Sequence, residues 1–243
     1  MIYKAGPGQA SYGEAIGVLL LDCFTPFIPG DVANATTYNF PVRFKKVEGL
    51  TTKRVLAKDP TAFEPLLAAA EELAGQGVRA VTGDCGFLAL HQGRLAAALE
   101  MPVFLSSLLQ IPFISSILGP DQKVGIVTAD SKSLDETLLK AIGIEKGERL
   151  AIRGMEDQQA FSKAVIEETG ILDSEKVEME AVSVAREVVE DEPKVGALLL
   201  ECSCLPPYGR AIQKAIGHPV FDYVSMINYV HSALVKERFE GEM

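Results

Sequence analysis

The stretch GVLLLD at residues 17–22 recurs in kind as GIVTAD at residues 125–130. Each is a glycine-led apolar run that ends in aspartate. Further on in each half a second apolar run ends in a cysteine, VRAVTGDCGFL at 78–88 and VGALLLECSCL at 195–205. A chain that repeats itself in this way is constrained to fold as two like halves, and it makes Cys85 and Cys202 structural counterparts. The turn-rich SSILGPDQK at 115–123, with its Gly-Pro-Asp chemistry, is the natural boundary between them.

Short apolar runs alternate along the chain with amphipathic helical patterns, the signature of βαβ units and a parallel sheet. Strands are expected at 16–22, 80–85, 103–106, 123–128, 150–153, 195–202 and 220–223. Most are almost wholly apolar, as strands covered by helices on both faces should be. Helices are expected at 61–76, 87–99, 131–142, 157–169, 174–190, 208–216 and 225–238. The expected fold class is α/β, with two similar pseudo-symmetric domains, each a parallel sheet flanked by helices, and the active site in the cleft between them. Residues 1–118 together with 223–243 are assigned to the first domain and residues 119–222 to the second.

The sequence has 243 residues, 48% of them hydrophobic, enough to bury a substantial core. Its net charge of −10 opposes nucleic acid and anionic membrane surfaces, so a small-molecule substrate is the expected partner. No apolar run approaches the roughly 18 residues of a membrane span. Nor does the N-terminus read as a signal peptide. Four cysteines are too few for a disulfide scaffold, and reduced thiols in the cytoplasm are expected. Self-association is also expected. No metal site is expected, because CSC at 202–204 lacks the usual gap between zinc ligands and His91, His218 and His231 are scattered. The glycine-rich GPGQASYG at 6–13 precedes the first strand, so it cannot form a dinucleotide-binding turn.

In open α/β sheets ligands bind beyond the carboxyl ends of the strands, where the following helices aim their amides. Both cysteines stand at such ends. Two facing domains would bring a thiol to each side of one bound carbon, an arrangement suited to removing an α-proton on one face and returning it on the other. A free thiol titrates near ~8.5, so thiolate is within reach near neutral pH. Amides following each cysteine, at Gly86, Phe87 and Ser203, are placed to bind a substrate carboxylate. Such a site needs no cofactor.

TGDCGF at 82–87 followed by LLECSCLP at 199–206 resembles the two cysteine motifs of the aspartate/glutamate/hydantoin racemase superfamily, over essentially the whole chain. The resemblance implies a cofactor-independent isomerase, a racemase or epimerase acting on an amino acid or hydantoin type of substrate, with Cys85 and Cys202 as the catalytic acid and base. It further implies substrate contacts at Asp22 and Thr128. The alternatives it leaves are a maleate isomerase-like or arylmalonate decarboxylase-like enzyme, or a binding protein without catalysis. Gly86 and Cys204 stand where amino-acid racemases often carry other residues, so their substrates are not inherited. Glu201, which would raise a thiol pKa if it faced the site, is expected to point to the opposite strand face.

Other residues carry two readings each. Cys23 is expected to pack as a small hydrophobe although it lies near the cleft. Cys204 is either a pocket neighbour or a packed residue at the start of a helix. The segment 26–42 reads as a lid with Asp31, Asn34 and Thr36 able to bind polar groups, or as a surface loop or oligomer contact. Ser106 either binds substrate or caps the next helix. His91 is expected to be solvated or hydrogen-bonded rather than a base.

Overall fold

A computed structural model describes residues 2–145 and 149–243. Among them are eight strands in two four-stranded parallel sheets. The first contains β1 (Ile16–Leu20), β2 (Val42–Lys46), β3 (Ala80–Gly83) and β4 (Val103–Phe104), in the order β2-β1-β3-β4. The second contains β5 (Lys123–Thr128), β6 (Leu150–Gly154), β7 (Val195–Leu200) and β8 (Val220–Phe221), in the order β6-β5-β7-β8. The two orders are the same, which is the duplication expressed in space. Ile16 of β1 stands opposite Val42 and Ala80, and Val124 of β5 stands opposite Leu150 and Ala197.

Five expected strands run two residues past their true ends, at 20, 83, 104, 200 and 221. In β1, β3 and β7 the chain stays apolar or buried beyond those ends because it leaves the sheet directly into a cleft. β2 was not foreseen. Its VRFKK is an edge strand with partly exposed residues, so it lacks the apolar run that marks the others.

Apolar residues recurring at helical spacing account for the longer helices. Phe63–Gly75 turns Phe63, Leu66, Ala69, Ala70 and Leu73 inward at helical spacing. Ser174–Asp191 buries Val177, Ala181, Val184, Ala185 and Val188 in the same way, and the Asp173 carboxylate accepts from Lys176 N at its start. Two expected helices are broken. Residues 87–99 divide into a 3₁₀ turn, Gly86–His91, and a helix, Gln92–Ala98; residues 157–169 hold a single turn, Gln159–Phe161, that continues as a π-helix, Ser162–Ile166. Both irregular segments border the cleft. Helices Thr52–Leu56 and Ile111–Ile117 were also unforeseen.

A continuous cluster joins the halves, with Leu19, Leu66 and Val81 from the first and Val124, Ile126 and Leu199 from the second. Each such leucine, removed from water, contributes roughly 1.5–3 kcal/mol. Helix Tyr223–Leu234, opened by a capping box at Asp222, returns to the first sheet after β8. There Tyr223 is fully buried and its hydroxyl donates to Leu105 O at 2.7 Å. Among the described residues no helix is long and apolar enough to cross a membrane.

Candidate active site

In each sheet the chain leaves its first strand toward one side and its third element toward the other, so a crevice opens beyond the ends of β1 and β3, and again beyond β5 and β7. The two crevices merge into one cleft. It holds about 540 Å³ of space unfilled by protein, counting its open mouth. Leu21 and Cys23 reach it from the end of β1, and Asp84, Cys85, Gly86 and Phe87 from the end of β3. Ala129 and Asp130 enter from β5, and Glu201, Cys202, Ser203 and Cys204 from β7. Thr25, Phe27, Thr52, Leu56, Val165 and Ile166 close its sides.

The backbone around the two cysteines is held in matching ways. Asp84 N donates to Leu19 O at 3.0 Å, and Glu201 N donates to Val127 O at 2.8 Å. Leu21 N donates to the Asp84 carboxylate at 3.0 and 3.1 Å, while Ala129 N donates to Glu201 Oε2 at 3.2 Å. Each half thus sets a buried carboxyl group immediately before its thiol and ties it to the neighbouring strand. In the second half the Thr128 hydroxyl adds a bond to Glu201 Oε2 at 2.7 Å, and Glu201 Oε1 has no hydrogen-bond partner among the described residues. That oxygen lies against Gly86, in the space a side chain there would need.

Burial pushes the Asp84 carboxyl up to about 7 against the opposing bond from Leu21 N, and burial likewise raises Glu201 to about 7. Cys85 is half-buried, and its thiol is held well above the usual range by desolvation first and then by the Glu201 and Asp84 charges; the Phe87 amide works against them. Cys23 is pushed up to about 12 by burial, Asp84 and Glu168. The Cys204 thiol is raised by its hydrogen bond with Cys202, by burial and by Asp31.

The structure brings Cys85, Cys202, Gly86, Phe87 and Ser203 to one cleft. The Ser203 hydroxyl crosses between the halves to donate to Asp84 O. Two expected contacts lie elsewhere. Asp22 turns to the surface, where its carboxylate accepts from Lys46 Nζ at 3.2 Å and from Gly49 N at 3.0 Å, because β1 has ended and the next turn faces outward. Its counterpart in the repeat, Asp130, is the one on the cleft, with its carboxylate accepting from Lys132 N and the Ser133 hydroxyl. Thr128 stands behind Glu201 and off the cleft wall.

Glu201 faces the cleft and not the opposite side of the sheet. β7 ends at Leu200, so strand alternation no longer sets its direction. Cys204 is a pocket neighbour, and Cys23 also lines the cleft. Ser106 is a cap, accepting from Leu108 N at 3.2 Å. Asn34 and Thr36 spend their polar groups within segment 26–42, on one another and on Phe27 O. Asp31, in the same segment, is buried, and its carboxyl is raised by burial and by Asp84. His91 is buried beside Phe63, away from the cleft. Among the described residues no three His, Cys, Asp or Glu side chains converge as metal ligands. Asp84 and Asp130 were missed as cleft residues, although the acid before each cysteine and the aspartate ending each repeat were visible in the sequence.

No protein-family model matches the chain. It is 31% identical over 231 residues to dimethylsulfoniopropionate lyase 5 of Emiliania huxleyi, covering 90% of this chain and 45% of that protein. To the dimethylsulfoniopropionate lyase of Durusdinium sp. clade D it is 32% identical over 217 residues, covering 86% of this chain and 71% of the relative. The chain belongs to the dimethylsulfoniopropionate lyase family. It spans about half the length of the first of these relatives. The fold is that of the aspartate/glutamate racemase superfamily. Allantoin racemase from Pseudomonas fluorescens aligns over 90% of each chain with a TM-score of 0.58 at 19% identity. Glutamate racemase from Bacillus anthracis aligns over 91% of this chain and 81% of its own with a TM-score of 0.58 at 13% identity. Unliganded arylmalonate decarboxylase gives a TM-score of 0.57 at 16% identity over 90% and 91%.

Membership of a lyase family overturns the racemase or epimerase expected from the cysteine motifs. Two thiols facing one carbon suit proton removal in general, and the motifs carried no information about what leaves afterwards.

Proposed function

We propose that this chain is a lyase that eliminates dimethyl sulfide from dimethylsulfoniopropionate or a close analogue. The observation that carries the reading is the charge of the cleft. Among the described residues its ionisable lining consists of the carboxyl groups of Asp84, Asp130 and Glu201 and the thiols of Cys23, Cys85, Cys202 and Cys204, with no lysine, arginine or histidine. Such a lining favours a substrate that brings a positive charge, and Phe27 and Phe87 add aromatic residues to it. A sulfonium group suits this place because it is cationic and donates no hydrogen bond.

In the proposed reaction one of the two thiolates, Cys85 or Cys202, takes the proton α to the substrate carboxylate. The freed electron pair forms the carbon–carbon double bond, the β carbon–sulfur bond breaks with its pair passing to sulfur, and neutral dimethyl sulfide leaves an acrylate. Backbone amides at Gly86 and Ser203 hold the carboxylate as charge develops on it. The arriving sulfonium offsets the anionic surroundings that keep the Cys85 thiol protonated. Elimination requires no return of the proton, so the opposite thiol shapes the site without having to donate. The four free cysteines support a reducing compartment such as the cytoplasm as its place of work.

The test is to incubate the protein with dimethylsulfoniopropionate and follow dimethyl sulfide in the headspace and acrylate by NMR. Both products are expected in equal amounts, and whichever of Cys85→Ala and Cys202→Ala takes away the base should remove them. An intact, folded chain that forms neither would overturn the proposal.

A further inference from the structure

The substrate charge leaves open which group selects it, and the three carboxyl groups of the cleft are not equivalent. Asp84 commits both oxygens to Leu21 N. Asp130, at the mouth, holds Lys132 N and the Ser133 hydroxyl at 2.9 and 3.0 Å. Glu201 differs from both. It is fully buried, Oε2 is tied to the Thr128 hydroxyl and Ala129 N, and Oε1 is left without a partner in the cleft wall against Gly86. A buried carboxyl oxygen without a partner costs stability, so its presence calls for a ligand-side explanation.

We propose that Glu201 is the specificity-determining counter-charge of this cleft, which favours a substrate with a cationic head group over one of the same shape whose head group is uncharged. This rests on reading the cleft as the substrate site. The glycine at position 86 lets the oxygen stand there, since a Cβ would fall 2.8 Å from the Glu201 carbonyl oxygen and closer still to Oε1. Shielded from water, the charge acts across the wall with little screening. Burial raises the carboxyl to about 7, so an arriving cation can hold it ionised near neutral pH.

The experiment uses two unreactive probes that differ by one charge, 3-(trimethylammonio)propionate and 4,4-dimethylpentanoate, titrated calorimetrically into the whole chain. The wild-type protein should bind the ammonium probe at least about tenfold more tightly, and Glu201→Gln should bring the ratio to within about threefold. Equal binding of the two probes, no measurable binding of the ammonium probe, or a ratio that persists in Glu201→Gln would overturn the proposal. If Glu201→Gln does not fold, Asp130→Asn decides: a retained ratio supports Glu201, and a lost one assigns the selection to Asp130. A protein that keeps the ratio but releases no dimethyl sulfide would overturn the lyase reading and leave this one standing.

Discussion

The first half of the molecule places Asp84 before Cys85, and the second places Glu201 before Cys202. Their backbone amides bond to equivalent carbonyls, Leu19 O and Val127 O, and their carboxyl groups accept from equivalent amides, Leu21 N and Ala129 N. One methylene separates the two designs. The shorter aspartate reaches Leu21 N with both oxygens; the longer glutamate is held by one oxygen, which Thr128 also engages where the first half has Leu20. The other oxygen is left facing Gly86. A near-symmetric frame therefore carries an asymmetric charge, and the asymmetry lies in three positions: 84 against 201, 20 against 128, and 86 against 203.

The largest effect that could break this comparison is on activity. Cys85→Ala and Cys202→Ala should each be assayed for dimethyl sulfide release, and the one that removes the base should fall by about 10³-fold, within the range of general base catalysis. The two losses should be unequal, since elimination needs one base; equal losses would mean that the halves work as a symmetric pair. Next comes the residue after each cysteine. Gly86→Ala should destabilise by about 1–3 kcal/mol, because the new Cβ meets the Glu201 carboxyl and backbone. Ser203→Gly, at the counterpart position, should cost only about 1 kcal/mol through its lost bond to Asp84 O. Urea midpoints at a common slope measure both.

Thr128→Val makes position 128 resemble Leu20. It should cost about 1–3 kcal/mol, because it strips a donor from a buried carboxyl group that already lacks one.

The pH dependence sharpens the comparison further. Asp84 and Glu201, both raised to about 7, are ionised in the unfolded chain above about pH 4 but protonated in the folded chain until about 7. The folded state then holds more protons, so these groups make stability fall as pH rises across that window and level off above it. Asp84→Asn should flatten the fall, read from urea midpoints between about pH 5 and 8. The smallest effect belongs to the ion pair between Lys58 and Asp135, which links the halves at the surface; Lys58→Ala should change stability by about 1 kcal/mol or less.

Much of this frame was legible beforehand. GVLLLD and GIVTAD place β1 and β5, and the cysteine-ended runs place β3 and β7, because buried parallel strands need continuous apolar residues. The edge strand β2 was not legible, since VRFKK has no such run. Nor were the short helices Thr52–Leu56 and Ile111–Ile117, which rest on tertiary packing as much as on local pattern. Within the cleft, Cys85 and Cys202 stood out by repetition. Asp22 was assigned by analogy of position and turned outward, while Asp130, its equivalent, turned in.

By itself the sequence determined that the chain is duplicated, that each half is a parallel α/β sheet, and that a thiol stands at the end of one strand in each. Periodicity and apolar runs are local properties, and they survive being read one residue at a time. Only the tertiary structure decided where Glu201 points and what it meets. The residue lies just past the end of β7, where side-chain direction follows the bend of the chain and the packing of Gly86 and Thr128, contributed by segments 115 and 73 residues away.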